Sequence, residues 1–132
     1  MIAVLDVSGA IEIVLNKDKA EPFNKEVKRS SWVIAPDLFV SEISNVLWKY
    51  YKAKIISHND CIQYVEEGIK LIDDFENAKN LWKEALGEGI KNKHSIYDMF
   101  YAILARRNDA LLITNDGPLA EVCKKTKISV CH

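Results

Sequence analysis

The sequence has few cysteines, no long apolar run and almost no net charge. Its three cysteines are odd in number and include no CxxC pair, so they predict neither a disulfide framework nor a zinc site. Charged residues interrupt every apolar run well before the roughly 18 residues of a membrane span. The opening apolar stretch ends at Asp6, too early for a secretory signal. We therefore expect a cytoplasmic protein with no membrane-spanning segment.

Length and composition are those of one folded domain. The chain has 132 residues, of which 48% are hydrophobic and 28% are charged. This balance excludes a disordered, collagen-like or coiled-coil chain, and it provides a sizeable core without disulfides or structural metal. The formal net charge of −1 lacks the basic excess that is usual in nucleic-acid-binding proteins. We predict a single domain over residues 1–132.

One stretch departs from this even distribution of charge. Between Glu42 and Asp60 the chain carries lysines and aromatic residues but no acid. Such a pattern suits phosphate contacts combined with base stacking. The alternative is an ordinary helix whose aromatic residues belong to the core and whose lysines are solvated.

Strand-like and helix-like patterns alternate along the chain. Buried strands are predicted at 2–5, 32–35, 110–114 and 128–130, with a further short strand hidden in the acidic connector 73–76. Helices are predicted after an N-cap at Ser8, after Pro22, over about 38–54, from Ser57, from Leu81, from Ser95 and around 119–123. Because such alternation produces parallel sheets, we predict an α/β fold with a mainly parallel sheet.

Two acids lie just beyond predicted strands. Asp6 ends the first strand, and Asp116 closely follows the strand at 110–114. The carboxyl ends of parallel strands share one edge of the sheet, where open α/β sheets bind their ligands. Either acid could instead simply cap the helix that follows it.

Two further acids lie near helix starts. Glu42 lies early in the long helix predicted at 38–54, on one edge with Asn45. Its alternative is a solvated surface position. Asp98 lies in the first turn of a later helix, where the spacing from Ser95 also fits a capping box.

Four carboxylates at one edge would repel each other strongly unless a cation neutralised them. With no His or Cys forming a ligand pattern, the donors would all be oxygen, which points to Mg²⁺ or Mn²⁺. Zinc is disfavoured because the three histidines show no HxxxH or Cys/His spacing.

The segments that carry these acids resemble the motifs of the PIN-domain nucleases, and most closely those of VapC-type toxins. Val-Leu-Asp-Val-Ser at 4–8 is similar to the opening aspartate motif, and Val-Ser-Glu-Ile-Ser-Asn-Val-Leu at 40–47 to the glutamate motif. Ser-Ile-Tyr-Asp at 95–98, with the helix that follows, resembles the third motif, and Leu-Ile-Thr-Asn-Asp at 112–116 the fourth. The resemblance covers nearly the whole chain.

The resemblance implies a PIN-like three-layer α/β/α sandwich and a metal-dependent endoribonuclease. Four acids would gather around Mg²⁺ or Mn²⁺: Asp6, Glu42, Asp98 and Asp116. Asp6 and Asp98 would be primary ligands, Asp116 a ligand or water-mediated support, and Glu42 a ligand or a positioner of water. Supporting residues would be Ser8 and Thr114, as hydroxyl groups at the metal, and Asn45, beside Glu42.

The implied substrate is RNA, and single-stranded RNA suits the basic and aromatic stretch best. Its candidate contacts are Lys49, Tyr50, Tyr51 and Lys52. A VapB-like antitoxin is the implied protein partner, and a homodimer is the implied assembly. Residues 117–120 contain no further acid where many relatives have one, so the number of metal ions stays open.

Three other functions compete with this one. A phosphoacceptor signalling domain would share the α/β alternation, but it needs an acidic pair after the first strand, and Val7 follows Asp6 here. A PIN-like module could bind RNA or protein without cutting. An RNA-processing nuclease could use the same site outside a toxin–antitoxin pair.

Overall fold

The computed structural model describes residues 1–132 and contains one five-stranded sheet. Its strands are β1 (Ile2–Leu5), β2 (Trp32–Pro36), β3 (Asp74–Glu76), β4 (Leu111–Ile113) and β5 (Val130–Cys131). Their order across the sheet is β3-β2-β1-β4-β5, and every neighbouring pair is parallel. The predicted α/β fold with a parallel sheet is thereby confirmed.

Seven α-helices connect the strands. They are α1 (Val7–Val14), α2 (Ala20–Arg29), α3 (Leu38–Lys52), α4 (His58–Lys70), α5 (Trp82–Asn92), α6 (Ile96–Arg107) and α7 (Gly117–Lys125), with a one-turn 3₁₀ helix at Ala78–Asn80. None of them combines the length and the hydropathy that crossing a membrane requires.

The helices form two layers, one on each face of the sheet. Crossovers between parallel strands are right-handed, so the connections from β1 to β3 place α1–α4 on one face. The connections from β3 to β4 and from β4 to β5 run across the sheet in the opposite direction, so they place α5–α7 on the other face. Accordingly, α1 packs on α2, α3 and α4, whereas α6 packs on β1, β2 and β4. The result is a three-layer α/β/α sandwich.

The central strands consist of buried apolar residues, as expected for parallel strands covered on both faces. Ala3, Val4 and Leu5 of β1 have no exposed surface, and the same holds for Leu112 and Ile113 of β4. The edge strand β3 is short, largely exposed and mostly acidic. The core therefore lies around β1 and its two neighbours.

The strand order reverses at β1. The chain adds β2 and β3 on one side of β1 and then returns to place β4 on the other. The backbone amide of Asp6 donates to the carbonyl of Ile113 at 3.2 Å, so β1 and β4 end side by side. Open sheets bind ligands in the crevice beyond two strands that flank such a reversal.

Four local predictions were wrong. Helix α2 begins at Ala20, so Pro22 lies in its first turn and does not precede it. The N-cap of α1 is Asp6 and not Ser8, because the chain passes from β1 directly into the helix and the Asp6 carboxylate accepts the Gly9 amide. Helix α3 ends at Lys52, before position 54, where Lys54 takes the left-handed conformation (φ 62°) that ends helices. The last strand is Val130–Cys131, later than the predicted 128–130.

Candidate active site

The crevice beyond β1 and β4 is a cavity of about 340 Å³. Asp6, Glu42, Asp98 and Asp116 all line it. Asp6 and Asp116 come from the carboxyl ends of the strands, Glu42 from the helical layer on one face, and Asp98 from the layer on the other. The fold thus brings together the four acids that the sequence singled out.

Asp6 is 5% exposed and is held by hydrogen bonds to both of its carboxylate oxygens. Oδ1 accepts the Gly9 amide and the Ser8 hydroxyl, each at 2.8 Å, and Oδ2 accepts the Thr114 hydroxyl. Burial raises the pKa of Asp6 to about 7, although these hydrogen bonds favour the ionised form. Without a nearby cation, the Asp6 carboxylate is therefore costly to ionise.

The hydroxyl groups of Ser8 and Thr114 connect the ends of β1 and β4. Besides donating to Asp6, the Ser8 hydroxyl accepts the amide of Asn115 at 2.8 Å, and the Thr114 hydroxyl accepts the amide of Asp116 at 3.0 Å. In this structure both hydroxyls hold the Asp6 carboxylate and the loop that carries Asp116. This network sets the position of Asp116 relative to Asp6.

Asp116 is the N-cap of α7, where its Oδ1 accepts the Leu119 amide at 3.0 Å. Capping, the structural alternative considered for Asp6 and Asp116, is therefore what both side chains do. Each capping carboxylate still has a free acceptor position, because a carboxylate offers about four of them. Oδ2 of Asp116 makes no hydrogen bond.

Glu42 is fixed by a residue from the opposite helical layer. The hydroxyl of Tyr101, in α6, donates to Oε1 of Glu42 at 2.6 Å, and Oε2 makes no hydrogen bond. Burial raises the pKa of Glu42, and the charge of Asp98 adds to this, while the Tyr101 hydrogen bond opposes it. Asn45 is exposed and makes no hydrogen bond with Glu42 in this structure.

Asp98 pairs with His94, which lies four residues earlier, just before α6 begins. Its Oδ2 lies 2.8 Å from Nε2 of His94, and its Oδ1 makes no hydrogen bond. The capping box with Ser95 is not formed, since the Ser95 side chain makes no hydrogen bond at the helix start. Burial raises the pKa of Asp98, and the charge of Asp116 contributes, while His94 opposes the rise.

Sequence reasoning missed two residues of the site, His94 and Tyr101. Tyr101 lies three residues after Asp98 in α6, whereas His94 lies four residues before it, in the segment that leads into the helix. Residues three apart in a helix share one face, so a signal was available for Tyr101, whereas His94 lies before the helix and had none. What the spacing does not reveal is that Tyr101 reaches across to α3.

None of the four acids forms a salt bridge with a lysine or arginine. The salt bridges of the protein leave Asp6, Glu42 and Asp116 unpaired, and Asp98 is paired only with His94. The charge of Asp98 raises the pKa of both Asp6 and Glu42. Such mutual repulsion favours a bound cation.

The donor atoms fit a hard divalent ion. Oε2 of Glu42, Oδ1 of Asp98 and Oδ2 of Asp116 have no hydrogen-bond partner, and none of the three is fully enclosed by protein. No three His, Cys, Asp or Glu side chains approach closely enough to make a complete cage. Mg²⁺ does not require one, because it keeps several waters and commonly binds through one or two carboxylates.

The candidate RNA contacts lie on the second half of α3. Lys49, Tyr51 and Lys52 are exposed there, and the Lys52 ammonium lies 5.1 Å from the ring centre of Trp48. Tyr50 differs from them, because it is half-buried against the core and its hydroxyl accepts a hydrogen bond from Lys17 at 2.9 Å.

The family model of the PIN domain matches residues 3–125, a segment that includes all four acids. The chain therefore belongs to the PIN domain family, and the resemblance inferred from its four motifs is confirmed.

Two proteins of Pyrobaculum aerophilum are similar to this chain. Ribonuclease VapC3 is 25% identical over 126 residues, which cover 92% of this chain and 94% of that protein. The crystal structure of PAE2754 matches 98% of this chain and 83% of that chain, with a TM-score of 0.76 and 19% identity. At that identity the structural likeness concerns the fold, and it confirms the predicted sandwich.

Proposed function

We propose that this protein is a metal-dependent endoribonuclease that hydrolyses phosphodiester bonds in single-stranded RNA, with residues 1–132 acting as one nuclease domain. The observation that carries the proposal is the convergence of four acids on one cavity, none of which forms a salt bridge with a lysine or arginine. Membership of the PIN domain family and similarity to a protein named Ribonuclease VapC3 support it.

The four acids would have different roles at the metal. Asp98 would be a primary ligand for Mg²⁺ or Mn²⁺, and so would Asp6, whose three hydrogen bonds leave about one of its four acceptor positions open. Asp116 would bind the ion directly or through water. A bound divalent ion supplies an acidified water and neutralises charge on the phosphate oxygens. Glu42, with Oε1 held by Tyr101, uses Oε2 as a ligand or to orient the attacking water.

The exposed part of α3 supports RNA as the substrate. Tyr51 has 45% of its surface exposed and lies in a stretch with Lys49 and Lys52. Exposed rings stack on unpaired bases, and neighbouring ammonium groups attract phosphates. A single strand can present both groups at once, whereas a duplex hides its bases.

The same proposal makes the protein the toxin of a VapBC-type pair. A VapB-like antitoxin, a homodimeric assembly and a cytoplasmic location are predictions that follow from the family resemblance. Expression of the wild type in a host cell should arrest growth, and the Asp98→Asn variant should not. Growth unaffected by an active wild-type nuclease would favour an RNA-processing enzyme instead.

The decisive test is cleavage of a pool of labelled RNAs by wild type and Asp98→Asn with Mg²⁺, Mn²⁺ or EDTA. Asp109→Asn is the matched control, because it removes an exposed carboxylate away from the cavity. We expect cleavage by wild type and Asp109→Asn with metal only, and at least a hundredfold loss in Asp98→Asn. RNA binding without cleavage in any metal would favour a non-cutting binding module.

A further inference from the structure

Among the residues that line the acidic cavity, the only lysine or arginine is Lys17. Its ammonium lies 2.9 Å from the hydroxyl of Tyr50 and 3.8 Å from Oε2 of Glu12. The Tyr50 ring is also close, with its centre 5.6 Å from the ammonium. The cation is thus held at a defined place beside the four acids.

Glu12 differs from the other acids of the cavity. It is 5% exposed, and its Oε1 accepts the backbone amide of Lys19 at 3.2 Å while Oε2 faces Lys17. Its carboxylate is therefore occupied by two partners of its own segment. We assign Glu12 to the support of Lys17 and not to the metal site.

The end of α1 determines where Lys17 lies. Asn16 takes the left-handed conformation (φ 51°), the Lys17 amide donates to the Glu12 carbonyl at 2.8 Å, and the Asn16 amide donates to the Ile13 carbonyl at 3.1 Å. This pair of hydrogen bonds is the Schellman motif, which turns the chain back over the last helical turn. It places residue 17 beside residue 12, from where its side chain reaches α3.

We propose that Lys17 is a substrate-binding residue that contacts an RNA backbone phosphate next to the scissile one, with Glu12 and Tyr50 as positioning residues that hold its ammonium at the cavity wall. The inference rests on the proposed nuclease function. The Lys17 side chain is 45% exposed, and an ammonium group has three donors, so one donor is open to a phosphate.

Charge explains why such a residue is needed. A cavity lined by carboxylates repels phosphates wherever the metal does not neutralise it, and a fixed cation at its wall offsets that repulsion. The assignment also revises the expectation for Tyr50. Its hydroxyl orients Lys17, and base stacking falls to the exposed Tyr51.

The test measures RNA binding apart from cleavage. Affinity for a fluorescently labelled single-stranded RNA is measured by anisotropy in EDTA, with Asp98→Asn as the parent protein, over a range of salt concentrations. Lys17→Met is compared with Lys83→Met, which removes an exposed lysine from α5. Lys17→Arg and Tyr50→Phe complete the set, and thermal unfolding of each variant reports folding.

We expect Lys17→Met to weaken binding about 5- to 10-fold and to reduce the slope of log affinity against log salt by about 0.7, the value for one phosphate contact on a single strand. Lys17→Arg should keep the slope. Tyr50→Phe should keep the slope but lose about 2- to 3-fold in affinity, because the ammonium is less well placed. Lys83→Met should change neither quantity.

An equal slope of log affinity against log salt for Lys17→Met and Lys83→Met would overturn the inference. A Lys17 that only stabilised the fold would contact no phosphate, so its loss would not change the number of counterions released from the RNA. Cleavage separates this failure from failure of the proposed function. In otherwise wild-type protein, Lys17→Met should raise KM several-fold with little change in kcat. If the wild type cleaves RNA and Lys17→Met has an unchanged KM, only the role of Lys17 is refuted. If Lys17→Met reduces the salt slope of binding but the wild type never cleaves RNA, only the nuclease function is refuted.

Discussion

The hydroxyl of Tyr101 donates a 2.6 Å hydrogen bond to Oε1 of Glu42 and so joins the helical layers on the two faces of the sheet. Tyr101 is 2% exposed, and burial together with the neighbouring Glu42 charge raises its pKa, so it stays a proton donor. The bond leaves Oε2 of Glu42 free at the cavity.

Removal of this hydroxyl should impair catalysis more than folding. We expect Tyr101→Phe to lower kcat roughly tenfold, in line with the loss of a hydrogen bond to a charged group. The bond lowers the pKa of Glu42, so its loss should move the acidic limb of the kcat profile to higher pH. Tyr97→Phe, an exposed tyrosine of the same helix, is the control, and identical profiles for the two variants would contradict the assignment.

The metal-free protein should lose stability as pH rises from about 4 to 7. Asp6 has a pKa of about 7 when folded against 3.8 in its unperturbed state. Between those values the unfolded chain releases a proton that the folded protein keeps, so each step in pH favours unfolding, by roughly 2–4 kcal/mol in total. Asp6→Asn should remove the share due to Asp6, as measured by urea unfolding in EDTA, while Glu42 and Asp98, whose pKa values burial also raises, keep a dependence of the same sign. If the free energy of unfolding changed with pH in the same way in wild type and variant, the pKa of Asp6 would not be raised in the folded protein.

Binding of Mg²⁺ or Mn²⁺ should release protons near neutral pH. The ion binds carboxylates in their ionised form, whereas burial raises the pKa of Asp6, Glu42 and Asp98. Calorimetric titration at pH 7 should show heats that depend on the ionisation enthalpy of the buffer, and at pH 9 that dependence should vanish. Asp98→Asn should weaken binding at least tenfold while Asp109→Asn binds normally. Buffer-independent heats at pH 7 would argue against these carboxylates as the ligands.

Thr114 should tolerate serine but not valine. The fully buried Thr114 hydroxyl donates to Asp6 and accepts the amide of Asp116. Thr114→Val keeps the shape but leaves both partners unsatisfied, which should cost about 1–3 kcal/mol and most of the cleavage activity. Thr114→Ser keeps the hydroxyl and should lose about 1 kcal/mol for the missing methyl group. Urea unfolding and initial cleavage rates measure the two effects, and equal losses in both variants would assign Thr114 to packing alone.

Two glycines of α5 should respond to alanine in opposite directions. A Cβ at Gly87 would meet nothing within 4 Å, so Gly87→Ala should stabilise the protein by about 0.5–1 kcal/mol through helix propensity. A Cβ at Gly89 would come within 2.1 Å of Ile96 Cδ1 and 3.1 Å of the His94 carbonyl oxygen, so Gly89→Ala should destabilise it by about 1 kcal/mol or more. Thermal unfolding of the pair decides this, and a stabilised Gly89→Ala would show that α5 and α6 can separate easily.

The alternation of strands and helices was predictable because each element carries its own hydrophobic period. The helix starts at Ser57 and Ser95 were placed correctly from single residues. One error occurred where two residues competed for one position, as Asp6 and Ser8 did for the cap of α1. There the angle at which the chain leaves β1 decides, and that angle depends on the packed sheet.

Local periodicity was enough to predict the fold class, and motifs that keep their order along the chain were enough to single out the four acids. Which neighbours hold those acids depends on tertiary packing. Tyr101 meets Glu42 through the packing of two helical layers around the sheet, and Lys17 meets Tyr50 through the turn that ends α1. Contacts of this kind depend on side chains that are far apart in sequence, and no local pattern along the chain encodes their distance.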